Sequence, residues 1–228
     1  MKTVILNIDT ALESASVSVA IDGQIVQLRT NDIQKDHAVF MHTAIKELLD
    51  AAGTSMQDLH AIAVTTGPGS YTGLRVGLST AKGLCYALGL PLISINSLQL
   101  LAHAAEKVTL QKEALLCPMI DARRMEVFTA LYDINLNTVT NPCAMILNDN
   151  SFAKELNDNK IIFCGNGSEK FSHIINHHNA TFVNNLNYCQ SLAMMSYIRN
   201  NESIYDDIRW SEPLYIKEHE SVSTQPKS

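Results

Sequence analysis

The sequence predicts an α/β fold made of two copies of one unit, each with three strands followed by alternating helices and strands. Short apolar runs typical of buried strands alternate with longer segments whose apolar residues recur at helical spacing. Landmarks of the first half also return roughly one hundred residues later, which indicates a repeated structural unit. With 228 residues, of which 46% are hydrophobic, the chain can bury a substantial core.

The first half begins with three predicted strands, and the turn Asp22-Gly23 joins the second to the third. Helices and strands alternate after them, and Gly53 and Gly89 end the first two helices. The predicted strands are Val4 to Ile8, Ala15 to Ile21, Gln24 to Leu28, Ala61 to Thr66 and Leu92 to Ile95, and the predicted helices are Asp36 to Ala52, Thr72 to Leu88 and Ser97 to Glu106.

The same order recurs in the second half. A strand at Cys117 to Ile120 runs into Asp121 as the first strand runs into Asp9, and Ile161 to Cys164 enters a glycine turn as an earlier strand does. The other predicted elements are strands at Glu126 to Tyr132 and Thr181 to Val183, a helical segment after Gly167 and a helix at Gln190 to Arg199. Chance similarity between ordinary α/β segments is the alternative. The predicted halves are residues 1–108 and 109–220, followed by a disordered tail at 221–228. The first half contains a glycine-rich loop and two helices that we assign below to a partner surface.

Composition and charge exclude several classes of protein. The net charge of −6, from 17 Lys and Arg against 23 Asp and Glu, disfavours a free nucleic-acid-binding protein, so a more basic partner would have to hold any RNA. The opening MKTVILNID is too short and too soon charged for a signal peptide or membrane span, so we expect a cytoplasmic protein without membrane contact. The five cysteines are widely spaced and lie mostly in apolar runs, which predicts reduced core thiols.

The strongest local signal is the glycine-rich segment from Gly67 to Gly77, between a predicted strand and a predicted helix. Glycines permit close backbone approach, and a helix N-terminus beyond them can hold an anion. The segment nevertheless lacks the lysine of a P-loop, and Thr72 stands where a dinucleotide fingerprint has its third glycine. On these residues alone, a sharp strand-to-helix turn is the simpler interpretation.

The run from Gly67 to Pro91, GPGSYTGLRVGLSTAKGLCYALGLP, resembles the signature of the TsaB (YeaZ) family. Matching pieces lie along nearly the whole chain, at Ile5 to Thr10, Asp121 to Val127, Gly165 to Gly167 and Glu212 to Tyr215. The resemblance implies an actin-like (ASKHA) fold, a tandem duplication of a ribonuclease-H-like βββαβαβα unit.

TsaB proteins are non-catalytic partners of the tRNA adenosine threonylcarbamoyltransferase TsaD. The resemblance therefore implies a homodimer when the chain is alone, and assembly with TsaD and the small ATPase TsaE. Together these proteins transfer threonylcarbamoyl to A37 of tRNAs reading codons that begin with A. The chain would meet tRNA only through the complex.

Several residues indicate the non-catalytic TsaB-type subunit and not the catalytic TsaD-type enzyme. Catalytic relatives carry two metal-binding histidines at helical spacing, whereas the matching stretch from Ile95 has only His103. Asp9 ends the first strand where actin-like ATPases keep a metal-associated carboxylate, but the residues after it, Thr10 to Glu13, lack the glycine that lets phosphate approach. The degenerate phosphate-site relics are Asp9, Thr10, Gly67 and Gly69. We expect no catalytic residue, metal or cofactor in this subunit, with ATP and metal on partner subunits.

An independent ATP-dependent transferase or kinase of the same fold is the alternative, because actin-like folds host both. A glycopeptidase is a weaker one, since neither Ser70 nor Cys85 has a histidine in an obvious register. His173 and His177 could hold a metal, but the asparagines around them indicate a solvated helix end.

Two adjacent arginines, Arg123 and Arg124, follow the first strand of the second half. They could hold RNA phosphate or a partner carboxylate, or simply be solvated at a turn.

We predict the partner surface on the first two helices. Gly73 and Gly77 share a helical face with Ala81, and small residues let another helix approach closely. The preceding helix has an apolar face too wide for one core. The predicted interface, for self-pairing and in exchange for TsaD, comprises Phe40, Met41, Ala44, Tyr71, Gly73, Arg75, Gly77 and Ala81. The alternative is that the glycines pack against the protein's own sheet.

Overall fold

The computed structural model describes residues 2–12, 14–32 and 37–217, without the side chains of residues 37–39. Within these ranges the strands are β1 (Val4–Asp9), β2 (Ala15–Ile21), β3 (Gln24–Asn31), β4 (Ala61–Gly67), β5 (Leu92–Asn96), β6 (Leu115–Asp121), β7 (Glu126–Tyr132), β8 (Thr138–Ile146), β9 (Ile161–Cys164) and β10 (Ala180–Val183). The helices are α1 (His37–Ala51), α2 (Tyr71–Leu88), α3 (Ser97–Val108), α4 (Ala153–Asp158), α5 (Ser168–Ser172) and α6 (Tyr188–Asn201), with a short 3₁₀ helix at Met56–Asp58. Asp36 and the predicted tail at 221–228 lie outside the described residues.

The strands form two five-stranded sheets of the same topology. In the first, of order β3-β2-β1-β4-β5, the central β1 is antiparallel to β2 and parallel to β4. In the second, of order β8-β7-β6-β9-β10, the central β6 is antiparallel to β7 and parallel to β9. The predicted duplication of a ribonuclease-H-like unit is therefore confirmed.

Two elements of the second half were missed by the sequence analysis. β8 has exposed side chains from Thr138 to Asn141 and no alternation of apolar residues, so its sequence lacks the signal of a half-buried strand. α4 has six residues, of which only Leu156 is buried, which is too short for a helical period to be visible.

Helices α1 and α2 cover one face of the first sheet. Their apolar stripes are buried against β1, β2 and β4 in one core, whose members include Met41, Ile45, Leu48, Leu78, Cys85, Leu6, Ile8, Val17 and Val64. No described helix is long and apolar enough to cross a membrane.

The last helix of each half packs on the sheet of the other half. α3 is buried against the second sheet, in a core that includes Leu98, Leu101, Ala105, Leu116, Ala130 and Ile162. α6 is buried against the first sheet, in a core that includes Leu192, Met195, Ile5, Ala63 and Ile93. This exchange joins the two sheets, because α3 follows the first sheet in sequence but packs mainly on the second, while its Leu100 lies in the core of the first.

Candidate functional site

The carboxyl ends of β1 and β4 meet at one edge of the first sheet, where Asp9 lies. Its Oδ1 accepts hydrogen bonds from Oγ1 of Thr65 at 2.6 Å and from the backbone N–H of Ala11 at 3.0 Å. Only 2% of Asp9 is exposed. Burial raises the pKa of Asp9, and these hydrogen bonds offset the effect only in part. The carboxyl group is thus engaged within the chain.

The residues that follow Asp9 lie directly against the glycine loop. The backbone N–H of Ser70 donates to the carbonyl oxygen of Ala11 at 2.7 Å, and Oγ1 of Thr10 donates to that of Gly73 at 2.7 Å. A Cβ at Gly69 would overlap the Ala11 carbonyl, and a Cβ at Gly73 would overlap the Thr10 carbonyl. Close backbone approach therefore explains both glycines, and the approaching group belongs to the same chain.

A C-terminal segment, from Leu214 to Lys217, covers the other side of the glycine loop. The N–H of Leu214 donates to the Thr66 carbonyl at 2.7 Å, and a Cβ at Gly67 would lie 2.8 Å from the carbonyl oxygen of Leu214. Gly67 also has a φ of 110°, which only glycine adopts readily. The four predicted relics, Asp9, Thr10, Gly67 and Gly69, are therefore brought together, in a cluster closed by the chain itself.

Two predicted interface residues, Tyr71 and Arg75, contact this C-terminal segment. The ring centroids of Tyr71 and Tyr215 are 4.9 Å apart. The guanidinium of Arg75 lies 4.1 Å from the Tyr71 centroid, and its Nε donates to the Tyr215 hydroxyl at 2.9 Å. The segment then reaches the second half, where Lys217 pairs with Glu126. Sequence reasoning missed this role, although Glu212 to Tyr215 had stood out as a matching piece.

The prediction that small residues of α2 form an exposed groove for a partner helix is wrong. Gly73, Gly77 and Ala81 are buried, and a Cβ at Gly77 would lie closer than 3.0 Å to Oγ1 of Thr10. The face that they share is therefore covered by the strand and turn of their own half. From α1, Met41 and Ala44 are buried in the first core and Phe40 packs partly against it. That a partner binds elsewhere on these two helices stays a prediction.

The outer surface of α1 and α2 carries a shallow groove of about 230 Å³, lined by His42, Ile45, Met56, Ser79, Thr80, Gly83 and Leu84. Gly83 is the third glycine of α2, and a Cβ there would meet no atom within 4 Å. Glycine inside a helix is less favourable than alanine by about 1 kcal/mol. Its presence at this open position has no explanation within the described chain.

The second half repeats the closed arrangement around Gly165-Asn166-Gly167. The N–H of Gly167 donates to the Met119 carbonyl at 3.0 Å, and the N–H of Asp121 donates to Oδ1 of Asn166 at 3.0 Å. A Cβ at Gly165 would overlap the Met119 carbonyl. The predicted correspondence with the first glycine loop thus extends to the contacts.

The histidines and cysteines form no metal-binding group of three or more with Asp or Glu in the described ranges. His103 is buried on α3, where burial and the charge of Lys107 lower its pKa. Burial raises the pKa of Cys85 and of Cys164 to about 12, so both remain thiols. The ring of His177 stacks on that of His178, with centroids 4.6 Å apart.

A model of the family described as TsaD, tRNA N6-adenosine threonylcarbamoyltransferase, matches residues 30–197, which is well over half of the chain. The chain belongs to the TsaD family, in its TsaB (YeaZ) branch. The C-terminal segment around Leu214 lies beyond the matched range.

Curated TsaB proteins, named as tRNA threonylcarbamoyladenosine biosynthesis proteins, are similar to this TsaB-family chain. That of Escherichia coli is 35% identical over 135 residues, 59% of this chain and 57% of the relative. That of Bacillus subtilis is 34% identical over 128 residues, 56% of this chain and 54% of the relative. The match thus spans little more than half the length of these relatives.

The fold is also that of a solved protein with similarity to YeaZ. The crystal structure of a Pseudomonas aeruginosa protein described as similar to the peptidase YeaZ superposes with a TM-score of 0.80. The superposition covers 94% of this chain and 100% of that one, at 22% sequence identity.

Proposed function

We propose that this TsaB-family chain is a non-catalytic subunit in the formation of threonylcarbamoyladenosine at position 37 of tRNAs that read codons beginning with A. It pairs with the transferase TsaD, works with the ATPase TsaE and forms a homodimer when alone, in the cytoplasm. The family membership and the names of the similar proteins support this pathway. A net charge of −6 supports contact with tRNA only inside the complex.

The observation that carries the non-catalytic role is the closed glycine loop. A phosphate at a helix N-terminus needs backbone N–H groups that point at it. Here the N–H of Ser70 donates to Ala11 and that of Gly73 donates to Oγ of Ser70 at 3.3 Å. Leu214 covers the end of β4. ATP and metal are therefore assigned to the partner subunits, and no cofactor to this one.

Calorimetric titration of the isolated chain with Mg·ATP, together with an ATPase assay, tests this role. We expect no saturable binding and no hydrolysis above background, with a TsaD–TsaE mixture as the positive control. Tight ATP binding with turnover by the isolated chain would favour the independent transferase or kinase instead.

The groove between α1 and α2 is the surface that we assign to both self-pairing and TsaD. The groove is open to solvent, and its apolar lining comes from Ile45, Met56 and Leu84. Gly83 supports the assignment, because a glycine that no neighbour in the chain requires permits close approach by another helix. Tyr86, one turn further along, is 82% exposed and supplies an aromatic side chain of the kind enriched at interfaces.

A further inference from the structure

The turn between β6 and β7 presents Arg123 and Arg124 to solvent. Among the described residues, neither guanidinium makes an ion pair within 4.0 Å. Met125, the last residue of the connection, is 38% exposed. Two arginine side chains, the longest cationic type in proteins, thus occupy consecutive positions at one end of the second sheet.

This turn is held from below by Lys170 of α5. The ammonium group donates to Oδ1 of Asp121 at 2.6 Å, to the carbonyl oxygen of Arg124 at 2.8 Å and to that of Glu126 at 2.5 Å. An ammonium group has three donors, so Lys170 is fully used inside the chain. The N–H of Arg123 also donates to Oδ1 of Asp121 at 2.7 Å. The backbone of the turn is therefore held by hydrogen bonds from Lys170 and to Asp121, whereas both arginine side chains are exposed to solvent.

The backbone conformation of the turn does not explain the arginines. Arg123 has a φ of 69° and Arg124 a φ of 47°, a left-handed region in which a Cβ is crowded. Glycine or asparagine would adopt it at lower free energy. Residues held in such conformations by surrounding contacts concentrate at functional sites. The side chains therefore need another reason to be there.

The charge around the turn is locally positive on a chain of net charge −6. The two nearby carboxylates already have partners, because Asp121 pairs with Lys170 and Glu126 pairs with Lys217. After those pairs are counted, the two guanidinium groups remain. Arginine presents a planar fork of N–H donors that matches the oxygens of a phosphate group.

We propose that the Arg123–Arg124 turn is a phosphate-binding contact for the backbone of RNA, used when tRNA is held by the assembled complex. This inference rests on the proposed function. Two arginines on consecutive residues can reach two neighbouring phosphates of one strand, and such contacts fix the position of an RNA without reading its sequence. Two contacts alone bind RNA only weakly against the negative charge of the chain, so the turn adds to binding by a more basic partner.

RNA fits this surface better than a protein partner does. The centre of a protein interface is depleted in charged residues and relies on buried apolar side chains. At this turn Met125 and, opposite Glu126 on β8, Ile146 are exposed, but the ion pairs of Asp121 and Glu126 lie at the same turn. Phosphate contacts need only exposed cations at the right spacing.

The test uses a double variant, Arg123→Asn with Arg124→Asn, because asparagine tolerates the left-handed backbone and removes both charges. The matched control is Lys112→Asn with Lys160→Asn, two exposed lysines that precede β6 and β9 at the opposite end of the sheet. Each chain is assembled with TsaD, and its affinity for an anticodon stem–loop RNA is measured over a series of salt concentrations. A third variant, Arg123→Lys with Arg124→Lys, restores the charges.

We expect the asparagine variant to fold and assemble normally, to bind RNA at least about fivefold more weakly and to lose about 1.5 from the salt slope. The lysine control should leave affinity within about twofold and the slope unchanged, and the lysine rescue should recover the slope. Unchanged affinity and slope in the asparagine variant would overturn the inference. Lost assembly with TsaD, at unchanged RNA affinity per complex, would overturn it in favour of a partner carboxylate.

A second measurement separates this inference from the proposed function. In the isolated chain, NMR signals of the arginine Nε–H groups are followed while the same stem–loop RNA is added. Shifts at Arg123 and Arg124 that vanish at high salt support the contact even if the chain fails to assemble with TsaD. Absence of shifts at millimolar RNA, together with normal assembly, would refute the contact and leave the proposed function standing.

Discussion

Thr10 is the reason why position 77 must be glycine. A Cβ at Gly77 would lie closer than 3.0 Å to Oγ1 of Thr10, which is itself held by a 2.7 Å hydrogen bond to the carbonyl oxygen of Gly73. The next nearest atom, Cβ of Thr10, is 3.4 Å away and would be in ordinary contact. The clash therefore involves one hydroxyl oxygen that has a structural role.

Gly77→Ala should for this reason destabilise the protein, although the same change normally strengthens a helix by about 1 kcal/mol. Overpacking costs about 1–3 kcal/mol, and breaking the Thr10 hydrogen bond costs about 1 kcal/mol more. The net loss of unfolding free energy is about 1–3 kcal/mol. For a chain of this size each kcal/mol lowers the melting temperature by about 2–4 °C.

Denaturant titration of Gly77→Ala, Thr10→Ala and the double variant measures the coupling directly. Removing the hydroxyl should relieve the clash, so the double variant should be more stable than the sum of the single effects by at least about 0.5 kcal/mol. Gly83→Ala is the control: nothing lies within 4 Å of its Cβ, so it should stabilise the helix. Wild-type stability of Gly77→Ala, or additivity with Thr10→Ala, would show that the Thr10 hydroxyl does not exclude a side chain at position 77.

Three further predictions concern the partner face, the C-terminal segment and the buried carboxyl group. Gly83→Leu should keep its melting temperature but fail to pair with itself or TsaD, as read by sedimentation; normal pairing would exclude this groove. Tyr215→Ala should lose about 0.5–1.5 kcal/mol of stacking and speed hydrogen exchange of the Leu214 amide, and unchanged exchange would show that the ring does not hold the segment. Because the pKa of Asp9 is raised in the folded state, its protonation stabilises the fold below the ordinary pKa of 3.8, and this gain is lost as the pH rises through the folded value. Asp9→Asn, whose amide oxygen can accept the same hydrogen bonds, should therefore be at least as stable as wild type at pH 7. As the pH falls toward 4, wild type should gain stability relative to the variant. A variant that is less stable than wild type at pH 7 and recovers in acid would contradict this.

The architecture was predictable because its signals are local. Short apolar strands, glycine-terminated helices and the recurrence of the Asp9 and Asp121 strand ends survive in the sequence of each half. β8 was not predictable, since its first four residues, Thr138 to Asn141, are exposed on both faces and the next four are only partly buried.

The candidate site was only half predictable, because its contacts join distant parts of the chain. Helical spacing correctly placed Gly73, Gly77 and Ala81 on one face, but it holds no information about what lies opposite that face. The answer is Thr10, which is more than sixty positions away in sequence. The contact of Tyr215 with Arg75 is equally non-local and leaves no periodic signal.

The decisive assay of the non-catalytic subunit role is threonylcarbamoyl transfer to A37 by purified components, with threonylcarbamoyl-adenylate and tRNA supplied to each mixture. We expect no transfer by this chain alone, a large increase when it is added to TsaD and TsaE, and an undiminished increase with Asp9→Asn. Transfer by the isolated chain, or a TsaD–TsaE activity that the chain does not change, would contradict that role.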